Sequence, residues 1–228
     1  MLPFKIKSQK PLEEYCEEEL KSGAVFLVDK PLDWTSFQVV NKLRSTIRRL
    51  HKIKKIKVGH AGTLDPLATG LLIICVGKKT KEIELFQGQE KEYTGTFVLG
   101  ATTPSFDLET EIEQRFPVDT INESDLQNAV RTLTGDIVQY PPIFSAVKID
   151  GKRAYESARK GENIKLRLRN VNVSKFEIDT SEFPSIHFTI VCSKGTYIRS
   201  IASDFGKILK NGAYLSSLRR ERIGEYSL

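Results

Sequence analysis

The chain has 228 residues, of which 39% are hydrophobic and 28% charged, a balance that suits a soluble globular protein able to bury a core. Its longest apolar run, Leu71 to Val76, is far too short to cross a membrane, and the Lys- and Glu-rich N-terminus carries no apolar signal segment, so a cytoplasmic location is expected. The three cysteines (Cys16, Cys75, Cys192) lie far apart with no second Cys or His at ligand spacing, which excludes a disulfide framework or a zinc site, while a formal net charge of +6 favours anionic partners.

In chain order, residues 1–22 read as an N-terminal extension in which Leu12 to Lys21 form a short acidic surface helix with no assigned function. Residues 23–228 read as one catalytic domain, because no Ser/Gly- or Pro-rich linker divides them. Gly23 to Asp29 has the composition of a buried strand and leads into a Lys30-Pro31 loop. Ser36 is placed to N-cap a helix whose apolar residues Phe37, Val40, Leu43, Ile47 and Leu50 keep helical spacing, leaving Arg44, Arg48 and Arg49 on a basic outer face. A short strand around Ile56 to Val58 precedes a glycine-bounded loop, Gly59 to Gly70, and Leu71 to Val76 follows as a buried strand. Beyond Lys78, Lys79 and Lys81 come a short helix near Glu82 to Phe86 and an alternating strand, Glu92 to Leu99, in which Tyr93 stands at the start.

Residues 100–122 read as a loop with little regular structure. Ser124 to Gln127 fits a capping box that starts a helix with Leu126, Val130 and Leu133 on its buried side, ended by Gly135. Tyr140-Pro141-Pro142 is extended, Phe144 to Ile149 is strand-like, and Asp150-Gly151 signals a tight turn before a basic helix at Arg153 to Lys160. Strands near Lys165 to Asp179 and Ser185 to Cys192 precede a helix with Ile198, Ile201, Ala202, Phe205, Ile208 and Leu209 on one face. This irregular alternation predicts an α+β fold, a mixed and mainly antiparallel sheet flanked by helices and loops.

The chemistry centres on Asp65. It is the sole acidic residue between Asp33 and Glu82, and eight Lys and Arg lie between Asp33 and Asp65. A polyanion would be drawn to this region and would meet one carboxylate there, unless the basic residues are an ordinary solvated helix face. Asp65 itself has two readings: a helix N-cap with Pro66 at the first helical position, or a carboxylate held still by Pro66 and the surrounding glycines for chemistry. His60 could stack on a base, titrate near neutrality or serve structurally. Lys194 and Arg199 flank a helix start, where the dipole disfavours cations; a carboxylate such as Asp65, or a phosphate, would remove that conflict. No phosphate-binding Gly-Lys-Ser/Thr loop and no Ser-His-Asp order is present.

Taken together, Gly59-His60-Ala61-Gly62-Thr63-Leu64-Asp65-Pro66-Leu67-Ala68-Thr69-Gly70, Lys91-Glu92-Tyr93 and Ser193-Lys194-Gly195-Thr196-Tyr197-Ile198-Arg199 closely resemble the TruB family of tRNA pseudouridine synthases in order and spacing. Leu27 to Pro31, Tyr140 to Lys148, Gly151 to Glu156 and Ser217 to Arg220 support the likeness. It implies isomerisation of a T-loop uridine of tRNA to pseudouridine by base flipping, with no metal or organic cofactor. The partner so implied is the tRNA T-loop and stem, bound by a monomer with no membrane and no obligate protein partner. By resemblance Asp65 is the catalytic carboxylate and Arg199 its ion-pair partner. His60 fills the space left by the flipped base, Tyr93 stacks on the uracil, Tyr197 and Leu218 line the pocket, and Lys30 and Pro31 form its edge. Arg44, Arg48, Arg49, Lys52 and Lys148 become candidate RNA-backbone contacts, with Lys78, Lys79 and Lys81 beside them. His-Ala-Gly-Thr-Leu-Asp stands where the commonest form is His-Thr-Gly-Ala-Leu-Asp, and Thr103 to Asp107 matches the family only loosely. The resemblance is to a short form lacking a C-terminal PUA RNA-binding domain. An RNA-binding or tRNA-folding chaperone that keeps the fold without catalysis is the alternative.

Overall fold

The computed structural model describes residues 2–143, 148–149, 152–153 and 167–228. The chain forms two compact units, Met1–Tyr93 with Leu218–Leu228, and Thr94–Ser217. The boundaries fall inside strands rather than in loops, which is why no linker composition marks them.

The first unit runs through β1 (Ile6–Lys7), α1 (Glu17–Ser22), β2 (Ala24–Lys30), α2 (Ser36–Leu50), β3 (Val58–His60), β4 (Ala68–Val76), α3 (Ile83–Gly88) and the start of β5 (Lys91–Leu99). β4 is its central strand. Residues 71–76 are apolar at every position, so the strand can be buried on both faces. β2 pairs with it antiparallel from Ala24 opposite Val76 to Lys30 opposite Gly70, and β3 pairs antiparallel from Val58 opposite Val76 to His60 opposite Ile74. One face packs Phe26, Val28, Leu72 and Ile74 against Val39, Val40, Leu43 and Ile47 of α2; the other packs Leu71, Ile73 and Cys75 with Ala61, Phe86 and Ile223.

Two local expectations shift here. The cap of α2 is Thr35, whose hydroxyl accepts from the Gln38 amide at 3.1 Å while the Gln38 side chain accepts from the Thr35 amide at 2.7 Å. Ser36 is therefore the first helical residue and faces inward, the buried stripe passes through Val39, and Phe37 is left 62% exposed. The N-terminal segment is also not merely a surface helix. Leu12 and Tyr15 join the core ahead of α1, which starts only at Glu17 because Cys16 and Glu19 make a reciprocal cap.

The second unit continues β5 and adds β6 (Ala101–Thr102), β7 (Gln114–Arg115), α4 (Glu123–Thr132), β8 (Gly135–Gln139), β9 (Lys148–Ile149), β10 (Lys152–Arg153), β11 (Arg169–Glu182), β12 (Ser185–Cys192) and α5 (Ile198–Ile208). Its sheet has the order β5-β12-β11-β8, with β12, β11 and β8 antiparallel. Phe97 stacks on Phe188 at 4.2 Å between ring centres, and Phe176 and Phe205 close the aromatic core. Asn122, not Ser124, caps α4, sharing its reciprocal bonds with Asp125. The 100–122 segment is more ordered than its composition suggests: β6 and β7 pair, and Thr103, Ser105 and Asp107 are buried. β9 and β10 pair with Ile149 opposite Lys152, flanking Asp150-Gly151. The strand expected over Phe144 to Val147, the tight turn and the helix beyond Arg153 lie outside the described residues.

The chain then runs through β13 (Ala213–Ile223), whose last six residues return to the first unit, and ends in β14 (Tyr226–Ser227). There β13 lies parallel to β4, with Leu218 opposite Ala68 and Arg220 opposite Gly70. The pairs β1–β2, β2–β4, β3–β4, β8–β11, β11–β12 and β13–β14 are antiparallel, in keeping with the mixed, mainly antiparallel α+β sheet expected from sequence.

Candidate active site

The loop that carries Asp65 is the connection of the β3–β4 hairpin. The Ala68 amide donates to the Asp65 carbonyl at 3.1 Å, closing a tight turn around Pro66, and the chain enters β4 directly. No helix follows, so the helix-cap reading of Asp65 does not hold.

Three side chains from outside the loop fasten its main chain. Ser36 donates to the Leu64 carbonyl at 3.0 Å and accepts from the Leu64 amide at 2.8 Å, pinning the residue before Asp65 to the first turn of α2. Lys30 is fully buried, and its ammonium donates to the carbonyls of Pro31 (2.8 Å), Trp34 (2.6 Å) and Pro66 (3.2 Å). The Pro66 carbonyl also accepts from the Asp33 amide at 2.9 Å, so the Pro31–Trp34 segment and the residue after Asp65 share one anchor. Arg220, 1% exposed, donates to the carbonyls of Leu71 (2.8 Å), Gly62 (3.1 Å) and Thr63 (3.5 Å). Asp65 stays half-buried between these anchors.

The electrostatics follow from that packing. Burial lowers the Lys30 pKa to about 8, against the opposing pull of Asp65 and Asp33. The His60 pKa is lowered too, first by burial and then by the Arg220 guanidinium, which favours the neutral imidazole; its Nδ1 is buried and has no hydrogen-bond partner among the described residues. Tyr93 is buried at the start of β5, and the half-buried Leu218 sits opposite Ala68, where its carbonyl accepts from the Thr69 hydroxyl at 3.4 Å. Arg219 spans from β13 to Asp29 of β2 with bonds of 2.9 and 3.3 Å. The first unit thus gathers Asp65, His60, Lys30, Pro31, Tyr93 and Leu218.

Arg199 and Tyr197 belong to the second unit. Arg199 is buried at the start of α5, with Nε 3.5 Å from the Asp107 carboxylate and a terminal nitrogen 3.3 Å from the Ser105 carbonyl. A carboxylate thus offsets the charge that the helix dipole disfavours. Tyr197, the residue before α5, is held by its backbone: the buried Gln139 side chain accepts from its amide at 2.8 Å and donates to its carbonyl at 3.0 Å. Arg169 lies over the Tyr197 ring at 5.8 Å.

Among the basic candidates, Arg48, Arg49 and Lys52 are exposed, whereas Arg44 is half-buried and spends its guanidinium on the Asn41 side chain and the Val58 carbonyl, both at 3.0 Å. The Lys148 side chain lies outside the described residues. The roles of Ser36, Asp107, Gln139 and Arg220 were not read from sequence, because each acts through a partner distant in the chain; Ser36 was read as a cap and Arg220 only as part of a supporting stretch.

Residues 48–198 match the TruB family of pseudouridylate synthases, in its N-terminal domain. The tRNA pseudouridine synthase B of Flavobacterium johnsoniae is 57% identical over 212 residues, covering 92% of this chain and 93% of that protein. The tRNA pseudouridine synthase B of Phocaeicola vulgatus is 53% identical over 208 residues, covering 91% and 88%. Among solved structures, a chain in the crystal structure of a Cbf5–Nop10–Gar1 complex superimposes with a TM-score of 0.66 at 26% identity, over 99% of this chain and 60% of that one. Sequence and fold together define a pseudouridine synthase. The chain belongs to the TruB family of these enzymes.

Proposed function

We propose that this protein converts a uridine in the T-loop of tRNA to pseudouridine, with Asp65 as the catalytic carboxylate. The observation that carries this reading is the Asp65 loop itself, fastened through its main chain on both sides of the aspartate in a chain 57% identical to a tRNA pseudouridine synthase B. The reaction is an isomerisation. The bond from C1′ to N1 breaks, a bond from C1′ to C5 forms, the C5 proton is lost and N1 gains one, so atoms and electrons balance without a redox partner.

The target uridine must leave its stack, at a cost of a few kcal/mol. His60, neutral and half-buried, takes the space that the base vacates, and Tyr93 stacks on the uracil and assists removal of the C5 proton. Leu218 lines the pocket, with Lys30 and Pro31 at its edge. Arg199, which the family motif links to the catalytic carboxylate, faces Asp107 at 3.5 Å within its own unit. Asp65 acts at the anomeric carbon or at the pyrimidine ring. Arg48, Arg49 and Lys52 bind phosphates, and Arg44 does so more weakly; such contacts position the RNA, while shape and splayed bases specify it. The enzyme works as a cytoplasmic monomer, without a cofactor or an obligate protein partner.

The test is incubation of the purified protein with an unmodified tRNA transcript and mapping of pseudouridine in the product. One pseudouridine in the T-loop is expected. Tight binding without isomerisation would replace the enzyme with a tRNA-binding or tRNA-folding protein.

A further inference from the structure

Arg220 is a buried charge, and all its hydrogen-bond partners among the described residues are backbone carbonyls. Burying a guanidinium is costly, and an apolar side chain of similar volume would often serve stability as well or better. The three carbonyls suggest what offsets the cost. Gly62 and Thr63 precede Asp65, and Leu71 follows it on β4. One planar guanidinium, with donors in fixed directions, thus joins the two arms of the loop and sets the angle between them as well as the distance. A lysine at the same place would offer a point charge without that fork.

We infer that Arg220 is a positioning residue, whose guanidinium locks the two arms of the 62–71 loop so that the Asp65 carboxylate is held at the geometry its chemistry requires. The inference rests on the reading of Asp65 as the catalytic carboxylate. Arg220 acts through the main chain and does not belong among the catalytic residues. Its remoteness from the reacting atoms does not make it minor, because a misplacement of about 1 Å at a reacting group can cost about a hundredfold in rate. The same guanidinium bears on His60, the other side chain at the start of this loop, where it adds to burial in favouring the neutral ring.

The experiment compares the unaltered protein with Arg220→Lys and Arg220→Met on an unmodified tRNA transcript. Three quantities are read: the single-turnover rate of pseudouridine formation with enzyme in excess, RNA affinity by filter binding, and the titration midpoint of His60 by NMR. The chain has only three histidines, so a His60→Gln spectrum assigns the signal. For Arg220→Met the rate is expected to fall about a hundredfold, with RNA affinity unchanged and the His60 midpoint raised. For Arg220→Lys, which keeps the charge and loses the fork, the rate is expected to fall about tenfold while the His60 midpoint stays low. Should the Met variant fail to fold, the Lys variant decides alone. Turnover by a folded Arg220→Lys protein equal to that of the unaltered one overturns the inference, as does a parallel loss of rate and affinity. If the unaltered protein makes no pseudouridine, the proposed function fails instead, and the His60 midpoints still show whether Arg220 governs that side of the loop.

Discussion

Two loops of this molecule each hold an aspartate, and they hold it in opposite ways. Around Asp65 the anchors come from elsewhere in the first unit and grip main chain: Ser36 takes Leu64, Lys30 takes Pro66, and Arg220 takes Gly62 and Thr63. In the 100–122 segment of the second unit the carboxylate itself is the anchor. Asp107 accepts from the Glu109 amide at 3.0 Å and faces Arg199 at 3.5 Å, while its carbonyl accepts from Thr103 at 2.7 Å and Ser105 at 3.2 Å. The first loop is fastened mainly through its backbone, and the second also through the side chain of its aspartate.

Substitutions in the two loops test that difference. The largest effect is expected at the second loop. Arg199→Met leaves Asp107 buried without its cation and should cost about 3–5 kcal/mol of stability by urea denaturation, with part recovered in Arg199→Met/Asp107→Leu. Unchanged stability would show that Asp107 is not a structural anchor. Next, Lys30→Met strips three carbonyls of an ammonium donor and should cost about 3 kcal/mol; a loss confined to activity would argue that Lys30 serves the substrate rather than the loop. Ser36→Ala and Thr35→Ala separate cap from clamp. The first should cost about 1–2 kcal/mol and slow turnover, while the second should cost about 1 kcal/mol and leave turnover intact in the folded protein.

Two smaller effects concern charge. Reversal of Arg48 and Arg49 to Glu should flatten the slope of log affinity against log salt by about 2, and an unchanged slope would return those arginines to an ordinary solvated helix face. His60 has a folded pKa below its ordinary value, so the unfolded chain binds the proton more readily, and its contribution to stability falls as pH drops through the ordinary histidine range. A His60→Gln protein should therefore lose less stability on acidification from neutral pH, as read from its melting temperature.

How much of this was legible in the sequence depended on whether a residue works locally. Apolar periodicity placed β2, β4, β5, β12 and α5 closely, because a buried strand or stripe leaves its mark in consecutive residues. Asp65, Tyr93 and Arg199 stood out only through the joint resemblance of their three motifs to the TruB family, since locally Asp65 read equally as a helix cap and Arg199 as an exposed side chain. The cap of α2 was missed by one residue because Thr35 and Ser36 are equally good caps, and only the tertiary bond from Ser36 to Leu64 decides between them. Asp107 and Arg220 were missed for a different reason. Their partners lie 92 and about 150 residues away, and a charged residue looks the same in sequence whether it faces water or a buried carbonyl. Strand β13 hid behind Ser216, Ser217 and three arginines, where the alternation of Ala213 and Leu215 is lost.

The measurement that tests the central contrast most directly is pseudouridine yield from an unmodified tRNA transcript with Asp65→Asn and Asp107→Asn side by side, each normalised to folded protein. Asp65→Asn should bind the transcript and form no detectable product, while Asp107→Asn should be less stable and still form T-loop pseudouridine. Product from Asp65→Asn, together with an inactive but fully stable Asp107→Asn, would mean that the two aspartates have been assigned the wrong way round.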